Sequence, residues 1–385
     1  MPKKLLTFFL FGLVVFLGFR AVIFYQKNLL GVGPAIRPPE KIVSENTTDF
    51  PLDIVPGYKI SIFAKNLTNA RDLEFDPNKV ILASLTSEGK IIALPDNDNN
   101  GIADKQIVVL EDLNNPHGIA FWQDKLYVAE TSQVTSYSYD PVNFKTSNKL
   151  KIVDLPKSGG HFTRSLLFTP EGELLISVGS SCNACIENDD QRAKILSVNP
   201  GGTGLKVFAS GLRNAVFMTL KQKTGEVWVT EMGRDLLGDD IPPDEIDIVK
   251  EGNDYGWPYC YGDKIPDPQI NKANSKKDCT QTQSPEIEIQ AHSAPLGLAF
   301  YKGDLLVSYH GSWNRSVPTG YKVVRFKNGQ QENFITGWLD GDKVLGRPAD
   351  ILVRDENTTL RSDSESAIYI SDDKAGVIYT VVVTE

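Results

Sequence analysis

The stretch GIAFWQDKLYVAETSQVTSYSYD, residues 118–140, decides the fold. It holds a hydrophobic strand, a short polar turn, a second strand of alternating apolar residues and, after another turn, a third strand. The same pattern recurs in five further segments, at 72–95, 165–200, 215–249, 296–327 and 350–383. First strands mostly start about 46 to 53 residues apart, which is the period of one propeller blade.

Six copies of this pattern predict an all-β fold, a six-bladed β-propeller over residues 56–385. One larger spacing, of roughly 80 residues, predicts an insertion at 251–292. The alternative is a two-sheet sandwich with accidental hairpin similarity. No heptads or long segments of helical period compete with these interpretations.

The N-terminus has a different composition from the rest of the chain. Lys3 and Lys4 precede an apolar run from Leu5 to Tyr25, which Arg20 interrupts. With this arginine snorkelling outward, the run reaches the length of a membrane span, and the lysines predict that the body of the protein lies outside the cytoplasm. Residues 1–26 are therefore predicted to be an N-terminal transmembrane signal anchor, or else a cleaved signal peptide, and proline-rich residues 27–55 a tether.

The charge balance excludes one class of partner. With a formal net charge of −9 and an isoelectric point near 5.2, the chain lacks the basic clusters that nucleic-acid binding needs. It also has no G-x-S-x-G elbow, no Walker loop and no G-x-G-x-x-G after a strand. A small-molecule ligand other than a nucleotide is the better expectation.

The four cysteines form two local pairs, Cys182 with Cys185 and Cys260 with Cys279. Both pairs predict disulfides formed in an oxidising compartment, which agrees with export to the cell surface, the periplasm or the medium. A zinc site is disfavoured because the second pair lacks the matching spacing.

Three of the four histidines stand at equivalent places in separate repeats. His117, His161 and His292 directly precede a first strand, whereas His310 follows a second strand. Because the innermost strand of a blade begins at the mouth of the central channel, we expect the first three imidazoles to share one pocket. For any single histidine, a hydrogen-bonded loop residue is the plainer interpretation.

Arginines occur at or near the same entrances, at Arg164, Arg213, Arg315 and Arg347. A ring of guanidinium groups in an acidic protein predicts an anionic ligand that carries carboxylates. The alternative is a set of salt bridges between blades.

The segment DNDNNGIAD predicts a structural calcium loop between blades. Asp96, Asp98, Asn100 and Asp104 occupy positions 1, 3, 5 and 9 of such a loop, and Gly101 stands at the sharp turn. Ile107 replaces the closing glutamate, so the alternative is a solvated acidic turn.

In these residues the chain resembles the glucose/sorbosone dehydrogenase family, six-bladed propellers that use pyrroloquinoline quinone (PQQ) and calcium. The resemblance covers residues 57–383, and its most specific stretches are GGHFTRSLLF, GSSCNACIENDDQRA, FASGLRNAV, DEIDIV followed by EGNDYGWPYCYG, and HGSWNRSVPTGYKVVRF. The last stretch and the CNAC pair look more like the sorbosone-type branch.

The resemblance implies roles for individual residues. His161 matches the general base that takes the hydroxyl proton of the sugar. Arg213 and Asn214 match the residues on the quinone oxygens. The carbonyl groups of Gly233 and Arg234 match the turn that holds the catalytic calcium, where soluble glucose enzymes carry proline in place of the arginine.

The remaining cofactor and substrate positions follow from the same resemblance. Arg347 matches an arginine on the PQQ carboxylates, and Arg315 or Lys322 takes the place of a cofactor lysine. His117 and His292 complete this face. Asp190 and Arg192 match the substrate side.

These features predict a PQQ- and calcium-dependent dehydrogenase of an aldose or related sugar aldehyde, which passes electrons to a quinone or cytochrome outside the cytoplasm. A calcium-dependent lactonase on the same type of propeller is the rival enzyme. A carbohydrate- or protein-binding propeller without activity is the rival of another class.

Overall fold

Antiparallel strands make up nearly all of the regular secondary structure in the computed structural model, which describes residues 16–20, 22–23, 48, 52–157, 159–354 and 366–384. Six sheets of four or five strands are arranged as the blades of a propeller. The first strands of neighbouring blades contact one another in a closed ring around the central channel. The predicted six-bladed all-β propeller is confirmed.

The strands of each blade are given from the channel outward. Those of blade one are Ala70–Phe75, Ile81–Leu85, Lys90–Leu94 and Ile107–Leu110; of blade two, Ile119–Trp122, Lys125–Glu130, Gln133–Asp140 and Lys145–Asp154; of blade three, Leu166–Phe168, Leu174–Val178, Lys194–Val198 and Lys206–Ser210. Those of blade four are Ala215–Lys221, Glu226–Glu231, Asp244–Val249 and Ile287–Ile289; of blade five, Pro295–Tyr301, Asp304–Tyr309, Lys322–Lys327, Gln330–Thr336 and Asp53–Ile54; of blade six, Pro348–Arg354, Ala367–Asp372, Val377–Val383 and Tyr58–Lys65.

The strands are short and rich in apolar residues because each blade packs against a neighbour on both faces. The second strand of blade three, Leu174–Val178, is buried along its whole length. Apolar side chains of adjacent blades then form the core, as where blade two and blade three share one cluster around Ile176 and Tyr127.

The ring closes through a strand that is distant in sequence from the rest of its blade. Tyr58–Lys65 pairs antiparallel with Val377–Val383 and forms the outer edge of blade six. Phe63 of this strand is buried and lies edge-on to the Tyr369 ring, with centroids 5.1 Å apart. The N- and C-terminal parts of the propeller therefore hold each other in place.

The propeller begins before residue 56, the predicted boundary. Asp53–Ile54 pairs with Gln330–Thr336, and Leu52, Ile54 and Val55 pack on the cluster that contains Trp338. The end of the predicted tether thus adds a fifth strand to blade five.

The predicted signal anchor lies largely outside the described residues. Residues 16–20 and 22–23 are helical. Within the described ranges, no helix is long and apolar enough to cross a membrane.

The predicted insertion, 251–292, begins after the third strand of blade four and extends past the fourth strand. It contains a small hairpin, Cys260–Tyr261 with Ile265–Pro266, and the 3-10 turns Lys272–Asn274 and Cys279–Gln281. Near its end, Ile287–Ile289 is the outer strand of the blade. A 3-10 turn at Thr86–Glu88 and a hairpin of Leu339–Asp340 with Lys343–Val344 complete the elements.

Both predicted disulfides are formed, Cys182–Cys185 and Cys260–Cys279. The first lies in the loop between the second and third strands of blade three. The second closes the insertion.

Removing the Phe63 ring tests the closure of the propeller. We expect Phe63→Ala to lower the free energy of unfolding by about 3–5 kcal/mol, because it leaves a cavity between the N-terminal strand and Tyr369. Val142→Ala, at a side chain that is 74% exposed, is the control and should change it by less than about 0.5 kcal/mol. Urea denaturation measures both variants, and equal effects would contradict this account of closure.

Candidate active site

A cavity of about 230 Å³ opens where loops of blades three, four and five meet. These loops lie at the ends of the inner strands, where the histidine positions had predicted a shared pocket. Of the residues predicted for the site, the cavity is lined by His161, Arg213, Asn214, Gly233, Arg234 and His292.

His161 presents one basic nitrogen at this cavity. Its Nδ1 lies 3.0 Å from the Ser180 carbonyl oxygen and 2.9 Å from Ser180 Oγ. Because a carbonyl oxygen only accepts, Nδ1 carries the hydrogen and Nε2 is left as the acceptor. Burial, with the Arg213 charge nearby, lowers the pKa of His161 to about 3, so the imidazole is neutral.

Two buried arginines hold the backbone of His161. Arg192 donates from Nη1 to the His161 carbonyl oxygen at 3.1 Å, and Arg164 donates to the same oxygen at 3.0 Å. Gly179, which follows the second strand of blade three, lets the loop that carries His161 pack closely against it. A Cβ atom at this position would lie 2.6 Å from the Cβ of His161.

The predicted substrate-side pair lies outside the cavity wall. Arg192 is 2% exposed, and its guanidinium donates to the carbonyl oxygens of His161 and Gly179. Asp190 is exposed, and its carbonyl oxygen accepts from Lys194. Arg192 therefore supports His161 from behind.

Arg213 is the most heavily hydrogen-bonded side chain at the cavity. Nε donates to the Asn183 carbonyl oxygen at 2.8 Å, and Nη2 donates to Asn183 Oδ1 at 3.0 Å. Nη1 donates to the carbonyl oxygens of Met232 at 3.2 Å and Gly233 at 3.1 Å. Nη2 also lies 3.4 Å from the Asp235 carboxylate. The guanidinium thus joins blade three to the Gly233 turn of blade four.

Asp244 holds the Gly233 turn from the other side. Its two oxygens accept from the backbone N–H groups of Gly233 and Ala294, each at 2.8 Å. Burial raises the pKa of Asp244 to about 6, although both hydrogen bonds oppose the shift. The carboxyl group links the turn to the loop that carries His292.

His292 differs from the other histidines in the direction of its pKa shift. Burial alone would lower its pKa, but the nearby Asp235 carboxylate and the hydrogen bond to the Gly238 carbonyl oxygen outweigh burial and raise it above the usual value. Nε2 lies 2.8 Å from the Gly238 oxygen, and Nδ1 lies 3.8 Å from Asp235 Oδ1. This ring is therefore more easily protonated than His161, the other imidazole on the cavity wall.

Arg234 is anchored to the insertion. Its Nη1 lies 2.9 Å from Asp267 Oδ2, and Nη2 donates to Gln269 Oε1 at 2.8 Å. Both members of the ion pair are buried, so its charges are shielded from water. The side chain that replaces the proline of the soluble enzymes therefore clamps the turn to residues of the insertion.

The predicted ring of cations does not converge on the cavity. Arg315 donates to the Asp239 carbonyl oxygen and lies 3.2 Å from Asp240, while Lys322 donates to Asn333 at 2.9 Å. Arg315 thus contacts a loop of blade four, and Lys322 contacts the next strand of its own blade. For Arg315, the alternative interpretation of a salt bridge between blades describes the contact better.

Arg347 and His310 belong to a second, partly buried group with Asp373, and buried His117 lies beside Ser165 and Phe217. Arg347 Nη1 lies 3.2 Å from His310 Nδ1, and His310 Nε2 lies 3.0 Å from Asp373. Burial lowers the pKa of His310 to about 4 and that of fully buried His117 to about 3. These residues lie outside the cavity wall, so the predicted shared pocket holds only His161 and His292 of the three histidines expected there.

The predicted calcium loop folds as a tight turn whose oxygens accept local N–H groups. Asp96 accepts from Asn100 at 3.1 Å and from Gly101 at 3.0 Å, and Asp104 Oδ2 accepts from Asn97 at 2.8 Å. The loop lies between the third and fourth strands of blade one, not between blades, and Ala103 N donates to the Phe63 carbonyl oxygen of blade six. Calcium here stays a prediction.

Seven cavity residues were missed by the sequence interpretation, and three of them, Asp235, Asp244 and Trp313, carry charged or aromatic side chains. Asp244 opens the quoted stretch DEIDIV, and Trp313 lies in HGSWNR, so both stood within recognised motifs. Their side-chain directions had no signal in the sequence.

A family model described as TrAA12-like matches residues 52–384. The chain belongs to this family. Among curated proteins, it is similar to an uncharacterised Borreliella burgdorferi protein, 29% identical over 81% of this chain and 88% of that protein. It is also similar to the PQQ-dependent pyranose dehydrogenase of Coprinopsis cinerea, 24% identical over 71% of this chain but only 44% of that enzyme.

Solved structures share the fold of this TrAA12-like protein. The carbohydrate-active enzyme of family AA12 from Trichoderma reesei gives a TM-score of 0.75 at 21% identity, over 89% of this chain and 100% of the other. The holo PQQ domain of the Coprinopsis cinerea pyranose dehydrogenase gives 0.74 at 20% identity, over 87% and 98%. The PQQ-bound aldose sugar dehydrogenase of Streptomyces coelicolor gives 0.60 at 17% identity, over 86% and 100%.

The histidine charges can be measured directly by NMR titration of ring-labelled protein. We expect His292 to take up its proton above pH 6.5, the ordinary value, while His117, His161 and His310 stay neutral down to about pH 5. The unfolded chain would bind protons at these three sites first, so their contribution to stability falls as the pH decreases below 6.5. Titration of His161 near pH 6.5 would contradict the buried, neutral imidazole.

A double-mutant cycle tests the clamp on the turn. We expect Asp267→Asn to lower the free energy of unfolding by about 3–5 kcal/mol, because it leaves the buried Arg234 guanidinium without its carboxylate. Arg234→Met in the same chain should recover part of that loss. Glu332→Gln, which breaks the more exposed pair with Arg325, is the control and should cost less than about 1 kcal/mol. If Asp267→Asn and Glu332→Gln lowered the free energy of unfolding equally, the buried Arg234–Asp267 pair would not be what holds the turn.

Proposed function

We propose that this TrAA12-like protein is a PQQ- and calcium-dependent dehydrogenase that oxidises an aldose or a related sugar aldehyde outside the cytoplasm. The observation that carries the proposal is one cavity whose wall brings together the basic Nε2 of His161 and the guanidinium of Arg213. The printed names of similar proteins, a PQQ-dependent pyranose dehydrogenase among them, support it.

The cavity fits a planar, anionic quinone. Trp313 lies on the wall and is 48% exposed, so its indole offers a face on which a flat ring can stack. Arg213 supplies positive charge for carboxylates or quinone oxygens, and His292, whose pKa is raised, is more easily protonated than a free imidazole. Asn214 adds a side-chain amide on the same wall.

The Gly233 turn fits calcium, which prefers oxygen donors. The carbonyl oxygen of Gly233 accepts from Arg213, and a carbonyl oxygen has a second lone pair for a cation. The Asp235 carboxylate lies on the same wall. The Arg234 carbonyl group stays the second predicted ligand.

When bound, PQQ would supply a hydride acceptor, and calcium would supply Lewis-acid polarisation of that acceptor. The chain supplies the proton transfer: Nε2 of His161 takes the hydroxyl proton of the sugar while Ser180 keeps the ring oriented through Nδ1. A pKa of about 3 makes a weak base, but a bound anion would raise it because negative charge favours the imidazolium form. Arg213 stabilises negative charge that develops beside it.

The rival functions have less support. A lactonase needs a cage of acidic side chains around one ion, whereas among the described residues the only His, Cys, Asp or Glu group within reach of a single ion is Cys182, Cys185 and Glu187. Its two cysteines are joined in a disulfide. A non-catalytic carbohydrate-binding propeller would not need a basic imidazole at the cavity.

The two disulfides are typical of proteins exported to an oxidising compartment. We place the enzyme at the cell surface, in the periplasm or in the medium, with a membrane quinone or a cytochrome as electron acceptor. The narrower sorbosone-type assignment, and with it a preference for sugar aldehydes, stays part of the proposal.

The decisive assay uses the full-length protein with PQQ, Ca²⁺, a redox dye and a panel of aldoses and sugar aldehydes. We expect dye reduction that depends on both additions. Hydrolysis of sugar lactones without PQQ would favour the lactonase, and sugar binding without PQQ binding or turnover would favour the binding module.

Substitution of the proposed base separates binding from chemistry. We expect His161→Ala to bind PQQ with wild-type affinity and to lower kcat about 10²- to 10⁴-fold, because proton transfer loses its acceptor. Glu171→Ala, at an exposed turn of the same blade, is the control and should keep wild-type kcat. Unchanged kcat in His161→Ala would remove this residue from the mechanism.

A further inference from the structure

Asn183 lies between the two cysteines of the Cys182–Cys185 disulfide and beside the cavity, without lining it. Its carbonyl oxygen and Oδ1 accept from Arg213, at 2.8 Å and 3.0 Å. Oδ1 also accepts from the backbone N–H of Asp235 at 2.8 Å, and Nδ2 donates to the Asp235 carbonyl oxygen at 3.0 Å. One amide side chain therefore holds both the cation and the turn that follows Gly233.

The same short loop also contacts the support of His161. The Cys182 carbonyl oxygen accepts from Ser180 Oγ at 2.7 Å. Because that hydroxyl donates to Cys182, its oxygen is free to accept from Nδ1 of His161, 2.9 Å away. The loop thus fixes the ring orientation of His161 as well as the position of Arg213.

Global stability does not account for this disulfide well. In the chain-entropy view, the stabilisation by a disulfide grows with the loop that it closes. The separation here is 3 residues, against 19 for Cys260–Cys279. The contacts of Asn183 indicate that this disulfide has a local role instead, namely to fix the position of Asn183.

The two disulfides also differ in access. Cys260 and Cys279 are 4% and 0% exposed, whereas Cys182 and Cys185 are only partly buried. A dithiol in solution therefore reaches the Cys182–Cys185 disulfide more easily than Cys260–Cys279. Reduction transfers two electrons and two protons to the disulfide, which becomes two thiols, while the dithiol becomes a disulfide.

We propose that Asn183, held by the Cys182–Cys185 disulfide, is a positioning residue for Arg213 and the Gly233–Asp235 turn, and that reduction of this disulfide releases the turn. The structural part of the proposal, that Asn183 positions Arg213 and the turn, is supported by the hydrogen bonds alone. The catalytic part, that loss of this positioning weakens PQQ binding and turnover, rests on the proposed function.

Hydrogen exchange on the full-length protein without cofactor tests the structural part. We expect the amide of Asp235 to exchange at least about tenfold faster in Asn183→Ala, because its acceptor is removed. The same acceleration is expected in wild-type protein treated with dithiothreitol at a concentration that leaves Cys260–Cys279 intact by peptide mapping. Asn199→Ala, which loses only a turn contact with Thr203 in the same blade, is the control and should leave Asp235 unchanged.

Two results would overturn the proposal. Unchanged exchange at Asp235 in Asn183→Ala would show that the amide does not hold the turn. Faster exchange in that variant but not in the reduced wild type would show that Asn183 keeps its place without the disulfide. Both results are independent of whether the protein binds PQQ.

The catalytic part is tested with PQQ and Ca²⁺ by fluorescence titration and by dye reduction. We expect Asn183→Ala to weaken PQQ binding about tenfold or more. Asn183→Asp should restore part of it, because a carboxylate still accepts from Arg213 and from the Asp235 amide, although it cannot donate to the Asp235 carbonyl oxygen. Equal loss in both variants would contradict positioning through these two bonds. Failure of the wild type to bind PQQ would count against the proposed function and leave the exchange result standing.

Discussion

The hydrogen bonds of the Arg213 guanidinium are the interaction on which the cavity depends. A buried guanidinium needs acceptors around its whole edge, since an unpaired charge away from water is costly. Here the acceptors come from two blades, Asn183 of blade three and Met232, Gly233 and Asp235 of blade four. The loops therefore cannot move independently, and the cavity between them keeps one shape.

The surroundings of this cation explain the charges of the nearby residues. His161 lies close to Arg213 and is buried, so it stays neutral and keeps Nε2 as an acceptor. His292 contacts Asp235 and the Gly238 carbonyl oxygen and is more easily protonated. Two imidazoles on one cavity wall thus have pKa values shifted in opposite directions.

The fold could be predicted from the sequence because each blade repeats one local pattern of strands and turns. The closure of the ring could not, since the pairing of Tyr58–Lys65 with Val377–Val383 joins segments that are distant in sequence. Among the residues predicted for the site from their motifs, His161 and Arg213 line the cavity. The sequence predicted that four arginines would surround one ligand, but a position at a blade entrance does not determine the direction of a side chain. Arg315, for example, donates to the Asp239 carbonyl oxygen and does not line the cavity. The supporting roles of Asn183 and Asp267 depend on contacts between loops, for which one sequence holds no signal.

The central claim is that this cavity is a cofactor site built on the Gly233 turn. A crystal structure of the full-length protein grown with PQQ and Ca²⁺ tests it most directly. The account predicts density for a planar quinone in the cavity, against Trp313 and within reach of Arg213 and His161, with the cation on the Gly233 turn. Density for PQQ elsewhere on the propeller, or an empty cavity at saturating PQQ and Ca²⁺, would contradict it.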